Sequence, residues 1–356
     1  MKNIVKIFLF LIKIIAVLTV FALLMSIAAC YVSPARYWIF QLFGLFFPAI
    51  FTVNIFLVII LRIMKSKIAY LNFAMLLASV FFIGRFFQFS GSTAADENAI
   101  KVISYNVHDF KNIDNYKATY SEIADFLLDE DADIICLQEY LTSEKIQNQH
   151  KTLQRLHQKY KYSYGNGGQK IFSRYPFESR QNFDFAGTHL IYADININGK
   201  VVRAYSCHLQ STNFNPDGTQ RRLTSKNANY TNEFKHVVVN LRNAFIKRAG
   251  QVELIAREIS KSAYPAIVCG DFNDTPMSYS YQKIRGKMND TFMEAGSGIS
   301  NTYKKLFSFL RIDYIFVDKN ISAMEYKVEK KIKYSDHYPV IVKLNISHER
   351  GNSQSR

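Results

Sequence analysis

The chain has 356 residues, 49% of them hydrophobic, and carries 44 Lys and Arg against 29 Asp and Glu for a net charge of +15 at pH 7. That apolar content excludes a disordered chain, and four cysteines in this length exclude a disulfide-stapled mini-domain. The charge excludes little, because it suits nucleic acid, an anionic lipid surface or an anionic small substrate.

Composition divides the chain in two. Residues 1–95 contain no Asp or Glu and eight basic residues, which leaves 36 basic and all 29 acidic residues to the rest. Apolar runs at 14–32, 38–61 and 68–87 each reach the length of roughly 20 residues that spans a bilayer core. The second tolerates Gln41, Pro48 and Asn54, and the third carries Arg85 near its end. Three such runs in series without one acid are hard to place in a soluble core. Lys2 and Lys6 before the first run, and Arg62, Lys65 and Lys67 between the second and third, predict a cytoplasmic N terminus and second loop. The expectation is a multi-pass protein of a bacterial inner membrane, with a membrane region at 1–89 and the remainder on the periplasmic side. Ile27-Ala28-Ala29-Cys30 also reads as a lipoprotein cleavage site, which would leave two spans and the same orientation.

Residues 90–98 read as a polar linker. Beyond it, strands are predicted at 100–105, 134–137 and 170–173, with helices at 116–129 and 144–159. Strands at 189–197 and 201–207 flank Asn198-Gly199, a strong hairpin signal. The polar stretch 211–232 reads as a long loop, either of the kind that covers a substrate or a flexible surface insertion. A helical stripe runs through Phe234, Val237, Val238, Leu241, Phe245, Val252, Ile255 and Ile259. Strands follow at 266–269, 314–317 and 340–344, and the tail 347–356 reads as disordered. Cys136, Cys207 and Cys269 sit near strand ends and read as buried, reduced thiols, with no spacing that suggests zinc.

Polar groups recur where apolar strands end. These are Asn106 after the first strand, Glu139 after the second, His208 after the hairpin, and Asp271 and Asn273 in Gly270-Asp271-Phe272-Asn273. Arg311-Ile312-Asp313 opens the penultimate strand, and Ser335-Asp336-His337 precedes the last. Each alone has an ordinary explanation, as a turn residue, a cap or half of an ion pair. Their recurrence at strand ends points to a site, since reactive groups concentrate where a rigid scaffold hands over to loops.

In this order, these segments resemble the endonuclease/exonuclease/phosphatase family of metal-dependent phosphoesterases, over residues 99–346. The resemblance implies an α+β fold of two packed mixed β-sheets flanked by helices, a four-layer α/β/β/α sandwich, here preceded by three transmembrane helices. It also implies phosphoester hydrolysis with Mg²⁺ or Mn²⁺, which neutralises phosphoryl charge and steadies the leaving oxygen. The family's metal glutamate falls on Glu139 and the asparagine of its first motif on Asn106, with Asp336 supporting the metal or His337. Asp313 and His337 match its carboxylate–imidazole pair. Asp271 would orient or deprotonate the attacking water, Asn273 would donate to a phosphoryl oxygen, and His208 would lie near the leaving group.

Arg248 and Arg311 are candidate substrate-binding residues. They are weighed, with Gln251 and Asp290, against a bracing role that is the stronger reading for all four. The substrate stays open between nucleic acid and a lipid or inositol phosphate. Arg221, Arg222, Lys226, Lys235, Arg242, Lys247 and Arg248 favour the first; membrane attachment with Phe214 and Tyr230 favours the second. A membrane-tethered binding protein without catalysis is a third class, weakened because no site residue is missing. The expected partners are the phosphoester substrate and a lipid bilayer, with no obligate protein partner.

Overall fold

The computed structural model describes residues 2–346 apart from 90, 94, 95, 97, 113, 186, 213–229 and 305–309. Its strands are β1 (Phe87–Gln88), β2 (Ile100–Asn106), β3 (Ile134–Gln138), β4 (Tyr162–Asn166), β5 (Gln169–Ser173), β6 (Phe177–Phe185), β7 (Thr188–Ile197), β8 (Lys200–His208), β9 (Ala266–Asp271), β10 (Asn289–Asp290), β11 (Gly298–Ile299), β12 (Asp313–Val317), β13 (Ile321–Val328) and β14 (Val340–Ile346). One sheet runs β13-β14-β2-β3-β5-β4 and the other β10-β12-β9-β8-β7-β6, with β1 and β11 as a separate pair.

Side-chain alternation explains how the sheets stack. Val102, Ile134 and Cys136 of the first sheet face Ala204, Ile267 and Cys269 of the second in one core between the sheets. The intervening residues Ile103, Ile135 and Leu137 face outward onto the helices Tyr120–Glu130 and Lys151–Lys159, through Ile123, Leu127, Leu153 and Leu156. Tyr205 and Val268 do the same for the second sheet, beneath Val252 and Ile255 of the long helix Tyr230–Ile259. The result is the α/β/β/α layering expected from the sequence. The central strands read as unbroken apolar runs because both faces are covered.

The N-terminal third departs from expectation. Among the described residues one helix, Asn3–Ala29, is long and apolar enough to cross a bilayer. The run expected to span at 38–61 forms two helices, Ile39–Leu45 and Phe47–Ile63, bent by 69°. Pro48 lies at the first or second position of the latter helix, where its missing N–H costs nothing there but cannot continue a preceding helix. The third run gives the 16-residue helix Ile68–Ile83, because the chain turns at Gly84 and docks Arg85 onto the sandwich. Three continuous spans are therefore corrected to one, or two if the bent pair counts as one. Apolar composition reports how long a greasy run is; it does not report whether the helix within it is continuous. Inside this bundle Asn54 Nδ2 donates to Thr19 Oγ1 and to Asn72 Oδ1, tying three helices together by buried polar contacts.

The bundle is packed onto the sandwich. Arg85 donates to the Pro276 carbonyl at 2.9 Å and to Gln282 Oε1 at 3.1 Å, and Gln41 Oε1 accepts from Tyr279 N. Gly44 lies so close to Met277 that a Cβ there would meet its carbonyl oxygen at 2.3 Å.

Candidate active site

Strand direction assembles the site. β2 and β3 are parallel, and so are β8 and β9, one such pair at the centre of each sheet. The C-terminal ends of both pairs come to the same edge of the sandwich, with Asn106 beside Gln138 and His208 beside Asp271 in register. β12 runs antiparallel to β9, so its first residue, Asp313, pairs with the last residue of β9, Asp271. His337 precedes β14 and forms an isolated bridge with Tyr303. Once past the strand ends the backbone becomes strained. His108, Asp109, Phe110, Glu139 and Asn273 all have φ between 47° and 57°, a region non-glycine residues avoid and which clusters at functional sites.

Asn106 Nδ2 donates to Glu139 Oε1 and to Asp271 Oδ2, both at 3.0 Å, and thereby joins the two sheets. Asp271 also accepts from the Asn273 backbone N–H on Oδ1 at 2.8 Å and from Asn273 Nδ2 on Oδ2 at 3.2 Å. Asn273 Nδ2 donates further to the Leu209 carbonyl. The Asn273 amide is thus aimed at Asp271 and Leu209. Asp313 accepts from His337 Nδ1 at 2.9 and 3.1 Å, and Asp313 N donates to Thr302 Oγ1. The opposite ring nitrogen, His337 Nε2, lies 3.6 Å from Asp271 Oδ2 and 3.9 Å from Asp336 Oδ1. The edge of the Tyr303 ring or of the imidazole meets the other ring's face, with centroids 5.1 Å apart.

His208 Nε2 is buried without a hydrogen-bond partner. It faces Glu139 Oε1 at 3.5 Å and Asp271 Oδ2 at 3.6 Å, beyond good hydrogen-bond length. His208 Nε2, Glu139 Oε1 and Asp271 Oδ2 therefore converge from both sheets without hydrogen bonds among them, while the Asn106 amide donates to the two carboxylates. Such an arrangement of carboxylate oxygens, an imidazole and an amide suits a hard divalent cation and a phosphoryl oxygen better than a soft metal. Asp271, Asp313 and His337 also lie close enough to form a metal-sized cluster, but both Asp313 oxygens are taken by the imidazole.

The electrostatics separate the roles. Burial opposes the Glu139 charge, yet contact with His108, the neighbouring His208, the Asn106 amide and His337 outweigh it and hold its carboxyl at about 2. Burial pushes the Asp271 carboxyl up, Asp313 adds to the rise, and His337 and His208 oppose it. Burial would lower His337, but Asp313, Asp271 and Asp336 raise it well above its ordinary value, which favours the imidazolium.

All the expected residues except two reach this edge. Arg248 and Arg311 are buried with their guanidinium groups committed elsewhere. Arg248 donates to Asp274 Oδ2 and the Gln210 carbonyl. Arg311 makes a two-pronged pair with Asp290 at 2.9 and 2.7 Å and donates to the Arg85 carbonyl. Their geometry is that of braces, and Gln251, which accepts from Gln210 N, and Asp290 join them. The loop expected to cover the substrate at 211–232, with Phe214, Arg221, Arg222 and Lys226, lies mostly outside the described residues, as do the Tyr230 side chain and the 347–356 tail. The sequence reading missed His108, whose Nδ1 sits 3.6 Å from Glu139 Oε2 and 3.5 Å from Asp336 Oδ1. Contact with Glu139 leads the effects that raise its pKa. The signal was its place two residues past the Asn106 strand end. Thr302 and Tyr303, on irregular chain, gave no signal.

The profile of the endonuclease/exonuclease/phosphatase family matches residues 103–337, and one described as a domain of unknown function (DUF8431) matches residues 6–86. The uncharacterized protein YbhP of Escherichia coli (strain K12) is 23% identical over 269 residues, 70% of this chain and 97% of its own length. The endonuclease/exonuclease/phosphatase crystal structure from Bacteroides vulgatus superposes with a TM-score of 0.50 at 20% identity, covering 70% of this chain and 99% of that one. A structure from the same family in Bacteroides thetaiotaomicron gives a TM-score of 0.48 at 19% identity, over 72% of this chain and 99% of that one.

Proposed function

The chain belongs to the endonuclease/exonuclease/phosphatase family and is a hydrolase of phosphoester bonds; from that premise we propose a membrane-anchored, divalent-metal-dependent phosphoesterase whose centre is the edge shared by Asn106, Glu139, His208, Asp271, Asp313 and His337. The observation that carries this reading is the convergence of His208 Nε2, Glu139 Oε1 and Asp271 Oδ2 without hydrogen bonds among them. Glu139 would hold the ion, Mg²⁺ or Mn²⁺, with Asn106 and Asp336 beside it. When bound, the ion neutralises phosphoryl charge and steadies the leaving oxygen.

The chain's own residues account for the rest. Asp271, held by the Asn106 and Asn273 amides, presents a carboxylate of raised pKa that orients a water and takes its proton. Asp313 fixes the His337 ring through Nδ1 and keeps it charged, so that Nε2 faces the phosphoryl group as a donor. His208 Nε2, 3.6 Å from Asp271 Oδ2, would stand near the departing oxygen. Asn273 holds Asp271 in place: its Nδ2 donates to Asp271 and to the Leu209 carbonyl, a bracing role in place of the expected donation to a phosphoryl oxygen.

The helix Lys2–Ala29 would serve as the anchor. Lys2 and Lys6 at its start favour a cytoplasmic N terminus, which, with this helix as the single span, puts the hydrolase on the extracytoplasmic side of a bacterial inner membrane. The test is hydrolysis of phosphomonoesters and phosphodiesters by the full-length protein in detergent. Activity should require added Mg²⁺ or Mn²⁺ and fall by at least about 10²-fold in Glu139→Gln. Activity indifferent to chelation and to that substitution would exclude the reading.

A further inference from the structure

One feature joins the reactive edge to the N-terminal bundle. A cavity of about 280 Å³ lies directly behind Asn273. One wall is the bend between the helices Ile39–Leu45 and Phe47–Ile63, through Leu45 and Phe46. The opposite wall is a stripe of the long helix, Val237, Leu241 and Phe245, spaced four apart and so on one face. Its inner end reaches Asn273 and Tyr303, whose other contacts are Asp271 and the His337 ring.

Three properties distinguish this cavity from a packing flaw. It is open, and its lining is mostly apolar, with Arg248 at its margin tied to Asp274. Its walls come from two units of opposite character, the acid-free bundle and the hydrolase. Large apolar side chains also stand exposed on the elements that form it: Phe46 is 42% exposed, and Phe234 at the start of the long helix 70%. Exposed apolar groups around an apolar cavity, one wall of which packs against the one described helix long and apolar enough to cross a bilayer, mark a surface that meets hydrocarbon.

We propose that this cavity is an acyl-chain site, and that the substrate is a lipid phosphoester whose head reaches Glu139, Asp271 and His337 while its chain lies between the helix bend and the long helix. This rests on the phosphoesterase reading above and adds the substrate class to it. In hydrolysis the water oxygen joins phosphorus, one P–O bond breaks, and the departing alkoxide takes up the proton lost by the water. The products are an alcohol and a phosphate bearing all the original atoms. The bend in the second apolar run then has a purpose that a straight span would not serve, since it presents Leu45 and Phe46 to the site.

The experiment uses the full-length protein in detergent with methyl and decyl p-nitrophenyl phosphate and, for monoester chemistry, methyl and decyl phosphate. Each buried methylene contributes roughly fourfold to kcat/KM. The wild type should therefore favour decyl over methyl by at least about tenfold. Val237→Trp, which fills the cavity, should bring that ratio close to one. Val239→Trp lies on the same helix away from the lining and is 48% exposed, so it should keep the wild-type ratio and control for substrate partition into micelles. If Val237→Trp does not fold, Leu241→Gln gives the same reading by removing apolar lining.

A wild-type ratio near one overturns the lipid assignment, as does the same ratio in both tryptophan variants. Faster cleavage of a single-stranded oligonucleotide than of any decyl ester overturns it in favour of nucleic acid. Absence of hydrolysis of every probe, with Glu139→Gln indistinguishable from wild type, overturns the phosphoesterase reading itself. That result is a missing rate and is distinct from a flat ratio.

Discussion

Asp313 and His337 show how far single residues could be read from the chain. Their pairing was expected from the resemblance to the family's carboxylate–imidazole pair, and the structure places them at 2.9 Å. Asp313→Asn keeps the shape but removes the charge that holds the imidazolium. We expect kcat to fall about 10²–10³-fold with an unchanged thermal unfolding midpoint, measured by steady-state kinetics and calorimetry. His108 was not legible, because a histidine after a strand end looks like any loop residue until Glu139 and Asp336 are placed around it. His157 is a second case in which environment decides. Burial, reinforced by Lys170, lowers its pKa from 6.5 to about 4, and the ring meets Tyr140 Oη at 2.8 Å. The unfolded chain takes up this proton first, so the stabilising effect is complete above about pH 6.5 and fades as pH falls toward 4. His157→Gln should flatten the pH dependence of urea stability across that window, by about 1–2 kcal/mol after allowance for the ring's partial exposure. An identical slope in both proteins would remove His157 from the account.

Among elements, legibility followed burial. β3 and β9 are apolar on both faces and stand out as runs. Asn198-Gly199 joins β7 to β8 with φ of 53° and 89°, as a primed turn requires. By contrast β4, with sequence Tyr162-Ser163-Tyr164-Gly165-Asn166, and β6, mostly exposed, lie at sheet edges and carry little apolar signal; neither was foreseen. The expected helix at 144–159 is two helices, Glu144–Gln149 and Lys151–Lys159, parted at His150. The close approach of β8 and β9 rests on Gly270. A Cβ there would meet the Cys207 carbonyl oxygen at 2.1 Å, and backbone cannot move aside as a flexible side chain can. Gly270→Ala should cost at least about 1–3 kcal/mol in denaturant unfolding and should loosen the His208–Asp271 register that the pair sets.

At the scale of the molecule, composition announced two parts but not their union. Arg85 is the hinge of that union. It donates to Pro276 and Gln282, lies 5.0 Å from the Tyr281 ring centre, and its carbonyl accepts from Arg311. Nothing in an isolated arginine near the end of an apolar run predicts this, since its partners lie some 190 residues or more away in the chain. Arg85→Ala leaves the Pro276 carbonyl and the Gln282 amide oxygen without their donor. It should cost about 1–3 kcal/mol in the full-length protein and speed proteolysis between the bundle and β2, followed by limited digestion and mass spectrometry.

The pairing of β2 with β14 has a consequence for how the protein is made. In their six-stranded sheet the first strand in the chain lies against the last, Ser104 opposite Val340. On a ribosome the apolar helices emerge and can enter a bilayer long before β14 is synthesised. Throughout that interval β2 offers an open edge to neighbouring nascent chains, a hazard that grows with the separation in sequence. A chain released short of β14 would carry its apolar helices and most of its reactive residues yet have no closed sheet to hold Asn106, so β14 must be made before hydrolysis can begin.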